Sequence, residues 1–142
     1  MNTAPRERAL PPALLEWLTR DHTVAPETWA AEPPLAELRC HPDLVERVAT
    51  LGRALRDVRR TFVAGCPVLH HPSGPPFAAA FGTSGLVVRT TERLGALDPG
   101  TRTTGLDPSW CDFDPWAPDV TFTRSTTMLR EAFGRAYDAV AS

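Results

Sequence analysis

The chain has no lysine; all 15 of its basic residues are arginine. That absence removes a phosphate-binding loop from consideration. Gly82-Thr83-Ser84-Gly85 has the glycines but lacks the Lys and the following helix that such a loop requires, and it is not the Gly-x-Ser-x-Gly elbow of a hydrolase. It reads as a tight turn. Cysteine is scarce. An odd count of three without a secretory signal points to reduced thiols and a cytoplasmic setting. Two prolines and a Glu break the N-terminal apolar run, so no leader peptide is expected, and no stretch approaches the roughly 18 apolar residues of a membrane span. Net charge is -2, so there is no bulk positive field for nucleic acid. No C-x-x-C or H-x-x-x-H frame offers a metal site.

What remains is an ordinary globular composition, 42% hydrophobic and 23% charged over 142 residues. Such a chain can bury a core without a disulfide or metal. Residues 42–142 are expected to form a single α+β domain, with residues 1–41 a helical arm packed on it. Within the arm, residues 10–20 can form a short helix, because Pro11 and Pro12 suit a first turn. Pro26, Pro33 and Pro34 forbid a long helix after it.

The clearest element covers residues 42–59. Pro42 opens it, and Asp43 and Glu46 complement the helix dipole in its first turn. Leu44, Val48, Leu51, Leu55 and Val58 then make one apolar stripe. Residues 61–71, 76–81 and 85–90 read as three short strands separated by Pro-Ser-Gly-Pro and Gly-Thr-Ser-Gly turns. Residues 92–118 are rich in Gly and Pro and read as loop, with a strand around Trp110 to Phe113. Residues 119–124 alternate, with Val120 and Phe122 on one face, which predicts another strand. Ser125 is the expected N-cap of a final helix carrying Leu129, Phe133, Ala136, Tyr137 and Val140. The expected fold is therefore an antiparallel meander of four to five strands covered by helices over about 42–59 and about 126–140.

Phe62 to Gly65, Phe77-Ala78, Leu86 to Arg89, Trp110 and a final helix with Tyr137 resemble the small bacterial domain of TfoX-type competence regulators and its YjbR-like relatives. The resemblance covers about residues 42–140. It implies an N-terminal helix, a short sheet and a closing helix. Phe-Val-Ala-Gly stands where Phe-Gly-Gly is expected, the lysines are absent, and the 92–118 loop is long. The resemblance implies fold and leaves function open.

The candidate sites follow from residue chemistry. His70-His71 ends a strand, where neighbours point to opposite faces; either could serve as a ligand or base near neutral pH, or simply bond within a turn. Cys66, His70, His71 and Cys111, with Cys40-His41 as a further pair, could converge on zinc only if folding gathered them. Buried thiols are the plainer reading of the cysteines. A metal-dependent or Cys/His enzyme site around Cys66, His70 and His71, with Arg89, is the alternative function. Asp107, Asp112, Asp114 and Asp119 surround Trp110 and Trp116 in a loop that could hold a cation or basic ligand, or be a solvated loop pinned by Trp packing. Arg53, Arg56 and Arg60 share a helical side and form a possible, though disfavoured, nucleic-acid patch, or a solvated helix end. No nucleophile, base and orienting residue stand in a recognised arrangement. The expected function is a non-catalytic, regulatory binding domain gripping a small molecule or protein through His70, His71, Arg89, Trp110, Asp112 and Trp116. No cofactor and no membrane partner are expected, and an exposed sheet edge would permit a homodimer.

Overall fold

The computed structural model describes residues 12–19, 28–83, 85–89, 102–103, 110–113, 116 and 122–141. In chain order the elements are α1 (Pro12–Leu18), β1 (Thr28–Trp29), a 3-10 turn (Leu35–Glu37), α2 (Pro42–Arg53), β2 (Arg59–Val63), β3 (Cys66–His70), β4 (Pro76–Phe81), β5 (Gly85–Arg89), β6 (Arg102–Thr103), β7 (Trp110–Phe113) and α3 (Phe122–Ala141). The fold is α+β. Every strand pairing is antiparallel, and the sheet order is β1-β2-β3-β4-β5-β7-β6. Five strands have four or more residues; β1 and β6 are two-residue edges.

Both faces of the sheet are covered. On one face, Phe62, Leu69, Phe77, Ala80, Leu86 and Val88 pack with Leu44, Val48 and Leu51 of α2 and with Leu129, Phe133 and Ala136 of α3. Phe77 meets Phe133 and Tyr137 edge-on at centroid distances of 6.3 Å and 5.8 Å. On the other face, Val63, Cys66, Val68, Ala79, Val87 and Trp110 pack with Leu14 and Leu18 of α1. This two-sided cover explains why β3 is buried at every position and why its sequence shows no alternation.

Three expected elements differ from the structure. The helix from Pro42 ends at Arg53 rather than residue 59. Leu55 and Val58 continue the helical spacing, yet they reach the core from a turn in which Asp57 has φ +54°. The single strand expected over residues 61–71 is a hairpin. Ala64 and Gly65, both at positive φ, form its two-residue turn between the paired Val63 and Cys66. The strand expected over residues 119–124 is overturned from Phe122 onward, where α3 has already begun, and Ser125 lies inside the helix. Alternation over a few residues is a weak signal beside a helical stripe extending to Val140. Residues 119–121, with Val120, lie outside the described residues.

His41 caps α2: its Nδ1 accepts from the Asp43 backbone N–H at 3.1 Å. The segment before it is locked to the sheet by the Arg39 N–H to Gly65 O and His41 N–H to Gly82 O bonds, each 2.9 Å. These bonds fix where α2 starts and hence which of its residues face α3.

Candidate functional site

A concavity lies between α2 and α3. It is lined by Asp43, Glu46, Arg47, Thr50, Trp116, Thr126 and Arg130 and has a volume of about 470 Å³. Arg47 is central to it. One turn of helix separates it from Leu44 and another from Leu51, both in the core, so α2 carries Arg47 to the margin of its buried face. Only 9% of the residue is exposed. Its guanidinium lies 5.5 Å from the centre of the Trp116 ring and donates to Thr126 Oγ1 at 3.3 Å. Burial lowers the Arg47 pKa from its ordinary value, because taking the charge out of water disfavours it. Arginine remains charged, since its free pKa is so high.

Trp116 covers this guanidinium. Its Nε1 donates to the Thr83 carbonyl at 2.9 Å, which ties it to the β4–β5 turn. Even so, 37% of the residue is exposed, an unusual state for a tryptophan. At the rim, Glu46 pairs with Arg53 at 3.2 Å and Asp43 lies 3.9 Å from His41; both carboxylates are largely exposed. Arg130 is exposed and has no ion-pair partner among the described residues. The arrangement offers guanidinium and hydroxyl donors beside an aromatic surface.

Trp116 is thus at the concavity, while His70, His71, Arg89 and Trp110 are not among its described lining residues. His70 is 1% exposed. Its Nδ1 donates to the Gly74 carbonyl at 3.0 Å. In the neutral ring, Nε2 is then free to accept from the Thr61 hydroxyl, 2.9 Å away. His71 accepts from the Ser73 N–H at 3.0 Å and lies against Tyr137, with centroids 4.6 Å apart. Arg89 and Trp110 are register partners on β5 and β7. Trp110 is 1% exposed, and its Nε1 has no hydrogen-bond partner among the described residues. His70 and Trp110 stand on strands three places apart, roughly 14 Å at ordinary strand spacing, so they do not share a small pocket. Asp112 pairs in register with Val87 on β5. Asp107, Asp114 and Asp119 lie outside the described residues.

Cys66 and His70 are four residues apart along β3, roughly 13 Å. No group of three or more metal-ligating side chains occurs among the described residues. Cys40 and Cys66 are buried free thiols. Burial pushes both up to about 12; Cys66 also raises Cys40, while Arg39 partly counteracts the shift at Cys66. Thiols so placed are poor nucleophiles. The Cys111 backbone pairs with Val88 in β5.

The arginine patch is rearranged. Arg53 ends α2, Arg56 lies in the following turn and Arg60 is in β2, so the three do not share a helical side. Arg53 and Arg60 do border a second concavity of about 310 Å³, which Asp57 also lines. Arg53 is engaged by Glu46 and Thr50, and Arg60 lies over Phe62 at 4.9 Å.

Arg47 is the functional candidate that sequence reasoning missed. Its signal was a charge at helical spacing from Leu44 and Leu51, beside an apolar stripe. Among the described residues, no helix is long and apolar enough to cross a membrane. No family model, curated protein or solved structure matches the chain.

Proposed function

We propose that the protein is a non-catalytic binding domain whose small-molecule ligand sits in the α2–α3 concavity beside Trp116. One observation carries this reading: an arginine of which only 9% is exposed packs its guanidinium against a tryptophan that is itself 37% exposed. Burying a charge is costly, and an apolar residue of similar size would commonly hold two helices together at no loss. A retained buried cation beside an open aromatic is what a ligand seat requires. The volume of about 470 Å³ falls in the range of ligand pockets, roughly 300–1,000 Å³. The resemblance to TfoX- and YjbR-type domains remains a proposal about fold alone, resting on Phe62 to Gly65, Phe77-Ala78 and Leu86 to Arg89. Edge-to-edge pairing of a second copy has little support, because both edge strands of the described sheet are two residues long.

The test is nuclear magnetic resonance of the tryptophan indoles. The chain has four tryptophans, and a Trp116→Phe variant identifies the Trp116 signal. Millimolar phenylacetate or 2-phenylethanol is expected to shift that signal and leave the buried Trp110 indole in place. If neither compound moves Trp116, the proposed seat is wrong.

A further inference from the structure

Resting on that reading, we infer that the α2–α3 concavity takes a small monoanionic carboxylate carrying a planar apolar body. The charges around it decide the class. Two guanidiniums, Arg47 and Arg130, face two carboxylates, Asp43 and Glu46. The pairs are not equivalent. The carboxylates sit at the exposed rim, where solvent screens both and the Arg53 guanidinium pairs with Glu46. Arg47 is buried, and a charge in a lower dielectric acts more strongly on a bound ion. Arg130 is exposed on the opposite wall and has no ion-pair partner among the described residues. A guanidinium presents two parallel N–H groups that match a carboxylate. The hydroxyls of Thr50 and Thr126 supply further donors near it. The favoured ligand charge is therefore negative.

The size of that charge is limited. A phosphate monoester near −2 would meet two rim carboxylates, and the formal charges of the described lining residues cancel. One negative charge is the better match. The rest of the ligand is set by Trp116, whose open surface favours a flat apolar group.

Calorimetry on the full chain tests the class with three probes: phenylacetate, 2-phenylethanol and phenyl phosphate. Phenylacetate is expected to bind one-to-one at least about tenfold more tightly than either of the others, since hydrogen bonds to charged groups contribute roughly 1.5–3 kcal/mol and about 1.4 kcal/mol is tenfold. The Arg130→Gln variant removes a side chain with no ion-pair partner among the described residues, so it should keep the parent melting temperature. It should lose most of the preference for phenylacetate while binding 2-phenylethanol as before. Equal binding of acid and alcohol would overturn the carboxylate class and leave the ligand seat standing. Tighter binding of phenyl phosphate would overturn the limit of one negative charge. An acid preference undiminished in Arg130→Gln would overturn the seat built from both guanidiniums. If no probe binds, the class and the underlying reading fall together.

Discussion

Replacing Gly65 by Ala tests whether the β2–β3 hairpin is what anchors the segment leading into α2. Gly65 has φ +78°, and a Cβ there would overlap the Glu37 carbonyl oxygen and stand 3.0 Å from the Arg39 nitrogen. Gly82 is a matched control: its φ is +69°, and nothing lies within 4 Å of an added Cβ. Both alanines incur about 1–2 kcal/mol for the left-handed backbone. Both regain about 0.4–1 kcal/mol because the unfolded chain loses freedom. These contributions cancel in the comparison. Only Gly65→Ala must also push the Glu37–Arg39 backbone away, which costs about 1–3 kcal/mol as overpacking does. Weakening the 2.9 Å bond from Arg39 N–H to Gly65 O adds about 1 kcal/mol. Gly65→Ala should therefore be less stable than Gly82→Ala by about 2–4 kcal/mol. At roughly 4 °C per kcal/mol for a domain of this size, its melting temperature should be about 8–16 °C lower. Urea unfolding followed by circular dichroism gives the free energies directly. If the two variants fall within about 1 kcal/mol of each other, the hairpin does not anchor the segment before α2.

Two further outcomes follow from buried polar groups. Thr61→Val keeps the side-chain shape but deprives His70 Nε2 of its hydroxyl partner, so it should cost about 1–3 kcal/mol in urea unfolding; an unchanged midpoint would mean that this bond contributes nothing. The raised thiols make stability depend on alkaline pH: above the ordinary value of 9.0 the unfolded chain loses protons that Cys40 and Cys66 keep until about 12, so stability should fall across that window. A Cys40→Ala/Cys66→Ala variant should show a shallower decline of melting temperature with pH there, and an identical slope would contradict the assignment.

The parts of the fold that one face of packing determines were legible in the sequence. Leu44, Val48 and Leu51 marked α2, and Leu129, Phe133 and Ala136 marked α3, because each helix buries a single stripe against the sheet. Where two faces are buried, periodicity fails. Residues 61–70 are all buried, so hydrophobicity runs unbroken through the Ala64-Gly65 turn. Only Gly65 hinted at the hairpin, and a single glycine inside an apolar run is ambiguous. The end of α2 was hidden for a related reason. The core accepts Leu55 and Val58 from a turn as readily as from a helix, so their spacing did not reveal which backbone carried them.

The site was less legible because its parts meet only through the tertiary fold. Trp116 stood out as an unexplained aromatic in a loop, and it does border the concavity. His70 stood out too, yet its two nitrogens are taken up by Gly74 and Thr61, partners that only the hairpin and its register bring near. Arg47 did not stand out, since an arginine beside a helical stripe commonly lays its stem along the surface and keeps its charge in water. Here Trp116 and Thr126 arrive from elements distant in sequence and hold the guanidinium at the seam between α2 and α3. Chemically ordinary residues thus become a candidate site through burial, whereas a conspicuous pair such as His70-His71 is absorbed into turns and core. In a chain without a recognised catalytic arrangement, a charge held out of water is the more informative sign, since its burial costs free energy that packing alone does not return.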